Sequence, residues 1–190
     1  MTLDDTLPHL PRLRRHARLL TGDASRADDL LQDTLEHAAR KAHLWVAPAE
    51  ERVPGAALRA WLLTLMHRRF LNQWRDEQAA RMESLDEAHE AHAARAPHEL
   101  HASNWQHRPH EQLQLRLDLE RGLAALPPAA REVLLLVCVE ELSYEATAQV
   151  LDVPVGTVMS RLSRARERLR VLMSEPARPA AGAPALRVVK

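Results

Sequence analysis

The sequence predicts an all-α fold in which a flexible linker joins two small helical domains. Its 190 residues are enough for two units that each bury a small core. The chain contains four Trp, one Tyr, one Phe and five Gly, and this scarcity of aromatic residues and glycine favours helices over sheets. Apolar residues recur at helical spacing in two blocks, and a polar stretch separates the blocks.

The composition also restricts the class of protein. The single cysteine, Cys138, excludes an intrachain disulfide and a cysteine-based zinc cluster, and it fits a reducing compartment. The N-terminus shows no signal-peptide pattern, and no apolar run approaches the roughly 18 residues of a membrane span. These features predict a cytoplasmic protein that does not insert into a membrane.

Residues 5–80 form the first predicted domain, which opens with two helices. Gly22 is suited to end the first helix, and Ser25 is suited to cap the second. The spacing predicts buried stripes at Leu10, Leu13, Ala17 and Leu20, and then at Ala27, Leu30, Leu31, Thr34, Leu35 and Ala38. Away from its apolar stripe, the second helix carries an acidic face with Asp28, Asp29, Gln32, Asp33 and Glu36.

A third helix completes the first domain. Residues 43–56 contain two Pro and one Gly, which is typical of a loop. The helix that follows has an apolar side formed by Leu58, Trp61, Leu62, Leu65 and Met66. Another side carries Arg68, Asn72 and Arg75, so this helix also has a polar surface.

Residues 81–112 are predicted to be an acidic, His-rich linker, because apolar periodicity disappears there. Six of the eleven histidines lie in or beside it: His89, His92, His98, His101, His107 and His110. Two pairs have the i, i+3 spacing of helical zinc ligands. Because Pro97 interrupts them and no cysteine joins them, we favour incidental histidines over a metal site.

Helical spacing resumes in residues 113–174, the second predicted domain, first at Leu115, Leu119 and Leu126. Pro127 and Pro128 can open the next helix, since proline is tolerated in a first turn. Ser143 is suited to cap a short helix, and Asp152 tolerates the backbone angles of a tight turn. A longer helix follows, so this domain is predicted to be a helix-turn-helix.

The last predicted helix is strongly basic. Between Val153 and Ser174 there are five Arg and one Glu. Its inward stripe is predicted at Val158, Leu162, Ala165 and Leu169, so the Arg side chains project outward. A solvated surface helix is the simpler interpretation of such a charge run. The coincidence of helix, turn and second helix instead favours insertion into the DNA major groove.

Three segments resemble the extracytoplasmic-function (ECF) sigma factors of bacterial RNA polymerase. The segment "LPPAAREVLLLVCVEELSYEATAQVLDVPVGTVMSRLSRARERLR" is similar to the promoter-binding C-terminal region of that family. The segments "LTGDASRADDLLQDTLEHAAR" and "LRAWLLTLMHRRFLNQWR" resemble its core-binding and −10 element segments. The three lie in the family's order, with a linker between the two blocks.

The resemblance implies a transcription initiation factor that binds core RNA polymerase, directs it to promoters and helps to open the DNA. In the family, the second helix docks on the clamp of the largest polymerase subunit, which implies that role for Asp28, Asp29, Gln32, Asp33 and Glu36. The third helix contacts the −10 element, which implies that role for Arg59, Arg68, Asn72 and Arg75. The recognition helix contacts the −35 element, which implies that role for Thr157, Met159, Ser160, Arg161, Ser163, Arg164 and Arg166.

The family pattern also separates base contacts from phosphate contacts within the recognition helix. Met159, Ser160, Ser163 and Arg164 correspond to base-facing positions, and the other three residues correspond to phosphate anchors. Met159 stands where a basic residue is common in the family, so the −35 preference of this chain is expected to differ from that of its relatives. In the −10 segment, Arg68 replaces a usual Asn, which is expected to alter contacts with the DNA strand.

Other classes of protein fit the sequence less well. No Gly-rich phosphate loop, nucleophile elbow or H-E-x-x-H motif is present, so we expect no enzyme and no cofactor. A stand-alone helix-turn-helix regulator is the main alternative, although it would not need the acidic helix of the first block. The resemblance also implies an anti-sigma partner. The tail, residues 175–190, is rich in Pro and Ala and is predicted to be disordered.

Overall fold

A computed structural model describes residues 4–49, 51, 53–87 and 109–174. Two short 3-10 helices, Asp4–His9 and Ala42–Leu44, accompany seven α-helices in these ranges. The α-helices are α1 (Leu10–Thr21), α2 (Ala24–Arg40), α3 (Ala56–Glu87), α4 (Pro109–Ala124), α5 (Pro128–Cys138), α6 (Tyr144–Leu151) and α7 (Val155–Ser174). The prediction of an all-α fold is confirmed. We call residues 4–87 the N-terminal unit and residues 109–174 the C-terminal unit.

The ends of α1 and α2 depend on a tight junction between them. Gly22 has φ 72°, and its N–H donates to the Arg18 carbonyl at 2.9 Å, so glycine ends α1 as predicted. The predicted cap of α2 is wrong, because Asp23 rather than Ser25 holds that position. The Asp23 backbone is extended, and its carboxylate accepts from the Arg26 N–H at 2.9 Å. Ser25 already lies inside the first turn of α2, so it does not occupy the N-cap position.

The helix-turn-helix of the C-terminal unit forms as predicted. The Ser143 hydroxyl accepts from the Ala146 N–H at 3.1 Å and caps α6. Asp152 ends α6 with φ 53°, a left-handed conformation that Asp adopts more readily than most residues. Only residues 152–154 separate α6 from α7, and the two helices pack against each other.

The predicted apolar stripes form the core, except on α4. Leu13, Ala17, Leu30, Leu62 and Leu65 are among the residues buried in the N-terminal unit, and Val158, Leu162 and Ala165 are buried on α7. On α4, Leu126 just beyond the helix is buried, but Leu115 and Leu119 are 59% and 38% exposed. The reason is that α4 meets α7 near its own C-terminus. A Cβ on Gly122 would stand 2.7 Å from Leu169 Cδ1, so the two helices approach closely there.

The two units pack against each other in the structure. Helix α1 lies against α5, and α3 lies against α6. One hydrophobic core cluster includes residues of both units, from Leu13 to Ala165. The sequence predicted two domains separated along the chain by a linker. In the described residues the two units nevertheless pack together, and we call this the closed arrangement.

Several predicted features lie outside the described residues. These are the histidines at 89, 92, 98, 101 and 107 and the whole tail, 175–190; His110 is in α4, but its side chain is not described. Within the described ranges, no group of three or more His, Cys, Asp or Glu side chains could hold a metal ion. No helix in that part of the chain is both long enough and apolar enough to cross a membrane.

The two candidate caps of α2 can be separated by mutation. Asp23→Ala removes the acceptor of the Arg26 N–H, so it should lower the free energy of unfolding by about 1 kcal/mol. Ser25→Ala should change it by less than about 0.5 kcal/mol, because an exposed helical serine is replaced by a better helix former. Urea unfolding followed by circular dichroism measures both. An equal or larger loss for Ser25→Ala would contradict the assignment of Asp23 as the cap.

Candidate nucleic-acid and protein interfaces

Helix α7 presents a basic outer face. Its apolar stripe turns inward, so most residues of the predicted DNA-binding set face solvent. Met159 is 53% exposed. Ser160, Ser163, Arg164 and Arg166 are exposed, and Thr157 and Arg161 are half-buried at the edges of the face. The structure thus brings the seven predicted −35 residues together on one helix surface, where a base edge or a phosphate could approach.

Local bonds orient the polar side chains of this face. Arg164 Nε donates to the Ser160 carbonyl at 3.2 Å, and Arg164 Nη2 lies 3.4 Å from Ser160 Oγ. The Ser160 hydroxyl in turn donates to the Thr157 carbonyl at 3.1 Å. The guanidinium of Arg164 therefore lies along the exposed surface of α7. The residue is exposed, so its guanidinium can reach a base edge.

A shallow groove beside α7 adds a residue that the sequence analysis missed. Tyr144, the first residue of α6, lines this groove together with Met159, Ser163 and Arg166. Arg166 Nη2 lies 3.6 Å from Cys138 Sγ, and this contact with the thiol raises the pKa of Arg166 above its usual value. The only sequence signal for Tyr144 was its position directly after the cap Ser143.

Helix α3 divides the predicted −10 residues between two sides. Arg68, Asn72 and Arg75 recur at helical spacing and are exposed together. Arg59 is different, because its side chain is only 16% exposed and lies on the side that faces the C-terminal unit. The structure therefore groups three of the four predicted residues and does not bring Arg59 to the same surface.

The two tryptophans of α3 also have different surroundings. Trp61 is half-buried, and its ring centroid lies 5.4 Å from that of Trp45, so it packs as predicted. Trp74 is 37% exposed, but it lies on the side of α3 that adjoins the face of Asn72 and Arg75, because neighbours in a helix do not share a face. An exposed indole can stack on an unpaired base.

The loop before α3 is anchored by one carboxylate. Glu51 accepts from the N–H of Gly55 at 2.8 Å and from the N–H of Ala57. These two N–H groups hold the pKa of Glu51 below its usual range. Gly55 has φ 77°, and a Cβ there would meet the His9 ring at 2.8 Å, so glycine is required at this corner.

The acidic face of α2 is partly used inside the N-terminal unit. Asp28 pairs with Arg14 at 2.8 Å, and Asp33 pairs with Arg69 on α3 at 2.8 Å. The remaining members of the predicted set, Asp29, Gln32 and Glu36, are exposed. Gln32 Nε2 donates to Glu36 Oε1 at 3.1 Å, so these two residues form one polar patch. Asp29, Gln32 and Glu36 are thus the residues that this face offers to another protein.

A buried polar contact joins the two units, and the sequence analysis missed all but one of its residues. The carboxylate of Glu140 is 1% exposed. Arg12 Nε donates to Glu140 Oε2 at 3.0 Å, His16 Nδ1 lies 3.4 Å from Oε1, and Arg59 Nε lies 4.0 Å from Oε2. We call this cluster the interunit contact. It also includes the buried pair of Glu132 with His67 on α3, and Arg131, which donates to the Leu20 carbonyl at 2.6 Å.

Electrostatics favour the charged form of Glu140. Burial by itself would raise its pKa, but the imidazole of His16 and the guanidinium groups of Arg12 and Arg59 outweigh burial and hold the pKa below its usual value. Burial lowers the pKa of Arg131, whose three acceptors are the carbonyls of Leu20, Ala124 and Leu126. Charged groups are thus buried where the two units meet.

Comparisons with known proteins match both units. The family described as "Sigma-70, region 4" matches residues 116–169, and the family "Sigma2 domain of PhyR" matches residues 6–67. The chain is 34% identical over 170 residues to the ECF RNA polymerase sigma factor EcfG of Rhodopseudomonas palustris, covering 90% of this chain and 83% of that protein. It is 33% identical to the ECF sigma factor SigE of Mycolicibacterium smegmatis, covering 85% of this chain and 57% of that protein.

Solved structures give the same result. The sigma factor RpoE of Bartonella quintana, in complex with the anti-sigma factor NepR, aligns with a TM-score of 0.67 and 28% identity. The alignment covers 90% of this chain and 94% of that one. CnrH, in complex with the cytosolic domain of CnrY, shares the fold with a TM-score of 0.55 at 23% identity.

The interunit contact should make the free energy of unfolding depend on pH. Because the folded pKa of Glu140 lies below its ordinary value of 4.5, its contribution to stability is present above pH 4.5 and is lost as the pH falls through the folded pKa. Glu140→Gln should therefore be less stable than the wild type near neutral pH, and the difference should shrink below about pH 4. Unfolding free energies measured across this range check the prediction. Parallel profiles for the two proteins would contradict it.

Proposed function

The chain belongs to the ECF RNA polymerase sigma factors, which makes it a promoter-directing transcription initiation factor, and we propose that three of its surfaces carry this function. The outer face of α7 reads the −35 element, the basic face of α3 contacts the −10 region, and the acidic face of α2 binds core polymerase. The observation that supports this best is the clustering of seven predicted DNA-binding residues on the exposed face of α7.

For the −35 element, base contacts and phosphate contacts fall to different residues. Met159, Ser160, Ser163 and Arg164 occupy the exposed middle of the face, where they would meet base edges. Thr157 and Arg161 flank this middle at its half-buried edges and would contact phosphates, and Arg166 would do so from the groove beside Tyr144. An uncharged, flexible Met159 among these residues can touch a thymine methyl group, which the basic side chain common in the family does not favour.

For the −10 region, Arg68, Asn72 and Arg75 form the basic track, and the exposed Trp74 offers a stacking surface on the adjoining side of α3. Arginines that follow the sugar-phosphate backbone, together with an aromatic ring for unstacked bases, suit an opened strand. Arg59 lies on the opposite side of α3 from these three residues, against the C-terminal unit, so it does not belong to this track.

Partners follow from the charges of the remaining surfaces. Asp29, Gln32 and Glu36 would face basic residues on the clamp of the largest polymerase subunit, and such complementarity orients docking. The chain also has an anti-sigma partner in this proposal, since the RpoE structure that it resembles contains NepR. Acting on promoter DNA with the polymerase, the protein works in the cytoplasm and has no catalytic residues of its own. The stand-alone regulator gains no support, because both units match sigma factors.

Arg164→Ala should weaken transcription from a cognate promoter by about tenfold or more, because a base contact by arginine contributes about 1–3 kcal/mol of discrimination. Run-off transcription with core polymerase, on a promoter selected from a randomised −35 library, measures the loss. Arg15→Ala, which removes an exposed arginine from α1, is the matched control and should leave transcription unchanged. Core binding should persist in both variants. If Arg164→Ala transcribes as well as Arg15→Ala does, α7 does not read the promoter as proposed.

Reversing charge on α2 should separate core binding from DNA binding. The double variant Asp29→Lys with Glu36→Lys places two positive charges on the exposed acidic face, so affinity for core polymerase should fall by about tenfold or more. Asp4→Lys, at an exposed position before α1, is the control for charge reversal. Fluorescence anisotropy with purified core polymerase measures the affinity of the wild type, the double variant and the control. Equal affinities for the double variant and the control would exclude this face as the docking surface.

A further inference from the structure

The last turn of α2 carries positive charge beside the basic track of α3. Arg40 is exposed, and Lys41, the cap residue that ends α2, is half-buried. The ion pairs that the described residues of α2 make are those of Asp28, Arg26 and Asp33. Among the described residues, Arg40 and Lys41 therefore have no salt-bridge partner, and their charges are available to a ligand.

The contacts between α2 and α3 place this turn alongside α3. Arg26 of α2 pairs with Glu77 of α3, and Asp33 of α2 accepts from Arg69 of α3 at 2.8 Å. The two helices are therefore antiparallel, since later residues of α2 meet earlier residues of α3. His37 lies one turn after Asp33 on the same side of α2, so the end of α2 runs beside the first half of α3.

The imidazole of His37 senses the charge of this region. Burial lowers its pKa below the ordinary value, and so do the positive charges of Lys41, Arg40, Arg69 and Arg68. One side chain is thus within electrostatic range of four cations from two helices. Arg69 is neutralised by its ion pair with α2, whereas the other three cations are not paired in the described part of the chain. We call Arg40, Lys41 and Arg68 the basic cluster.

The basic cluster is accessible in the closed arrangement. Arg59 and His67 mark the side of α3 that packs against the C-terminal unit. Arg68 projects from the side opposite Arg59, because about two and a half helical turns separate the two residues. The basic cluster therefore faces away from the C-terminal unit, and it adjoins the basic track of α3, with which it shares Arg68.

Two simpler roles are available to Arg40 and Lys41. Cations in the last turn of a helix interact favourably with its dipole, but this local effect does not explain why Arg68 from another helix lies within range of the same imidazole. Contact with polymerase is the second role. However, Asp29 and Glu36 make the rest of the exposed face acidic, so the change of sign in the last turn suits a different partner.

We propose that the basic cluster is a phosphate-binding site that continues the DNA-binding surface of α3 onto the last turn of α2. This inference rests on the proposed function. Arg40 follows Glu36 by one helical turn, so α2 contacts the polymerase clamp with its acidic part and promoter DNA with its end. The ligand is the sugar-phosphate backbone, and the contact therefore positions the DNA without reading its sequence.

Salt dependence tests the inference in the complex of the full-length chain with core polymerase. Arg40→Gln with Lys41→Gln removes two charges and keeps good helix formers. Fluorescence anisotropy measures the affinity of the complex for a promoter fragment with a pre-opened −10 region at several KCl concentrations. Each phosphate contact contributes about 0.7–0.9 to the slope of log affinity against log salt. The double variant should therefore have a slope shallower by about 1.4–1.8, and about tenfold or more lower affinity at 0.1 M salt.

Arg15→Gln is the matched control for Arg40→Gln alone, because Arg15 is an exposed helical arginine on α1. Arg40→Gln should make the slope shallower by about 0.7–0.9, and Arg15→Gln should leave it unchanged. Urea unfolding and the affinity for core polymerase are measured for each variant. A loss of stability or of core affinity with a wild-type slope would assign Arg40 and Lys41 to the helix end or to the polymerase interface, and would overturn the inference.

Arg68→Gln separates the failure of this inference from the failure of the proposed function. Arg68 belongs to both the basic track and the basic cluster, so its loss should also make the slope shallower by about 0.7–0.9. If Arg68→Gln changes the slope and Arg40→Gln with Lys41→Gln does not, the basic track stands and the inference is overturned. If Arg68→Gln with Arg75→Gln also leaves the slope unchanged, the proposed −10 contact of α3 fails as well.

Discussion

The burial of one carboxylate organises the arrangement of this protein. Glu140 is 1% exposed, and the basic side chains that surround it come from the other helical unit. A charge removed from water in this way is tolerated only where opposite charges and hydrogen bonds replace its solvation. The position of the C-terminal unit on α1 and α3 is therefore tied to this contact, and so is the accessibility of Arg59.

The charge balance of the chain follows from this division of surfaces. The sequence carries 26 basic and 26 acidic residues, yet α7 and the outer part of α3 are basic, whereas the exposed face of α2 is acidic. Each surface has a charge suited to the partner that we propose for it, DNA for the two basic faces and core polymerase for the acidic face. At the interunit contact, opposite charges meet inside the molecule itself. Overall neutrality is thus an average over separate surfaces.

Much of the fold follows from local sequence. Helical stripes such as Val158, Leu162 and Ala165, the cap Ser143 and the turn at Asp152 are set by neighbours within one or two turns, and all of them form as predicted. The cap of α2 was misassigned because Asp23 and Ser25 are both good cap residues, and only the backbone angles distinguish them. The exposed face of α7 was predictable for the same reason, since its inward stripe determines its outward residues.

The interunit contact was not predictable in this way. Glu132 and Glu140 resemble ordinary solvated acids in the sequence, and their partners His67 and Arg12 are 65 and 128 residues away. No periodic pattern records such a distance in the chain. Arg59 is a different case, because helical spacing alone places it on the opposite side of α3 from Arg68. Only its contact with Glu140 depends on long-range packing.

The most direct test of the account measures the distance between the two units in the free protein. Dyes on Arg15→Cys and Gln149→Cys, in the Cys138→Ser background, report this distance with Glu140 intact and in Glu140→Gln. The account predicts a short distance with Glu140 intact and a longer mean distance in Glu140→Gln, because the substitution removes the charge that Arg12 and Arg59 face. The same short distance in both proteins would contradict it.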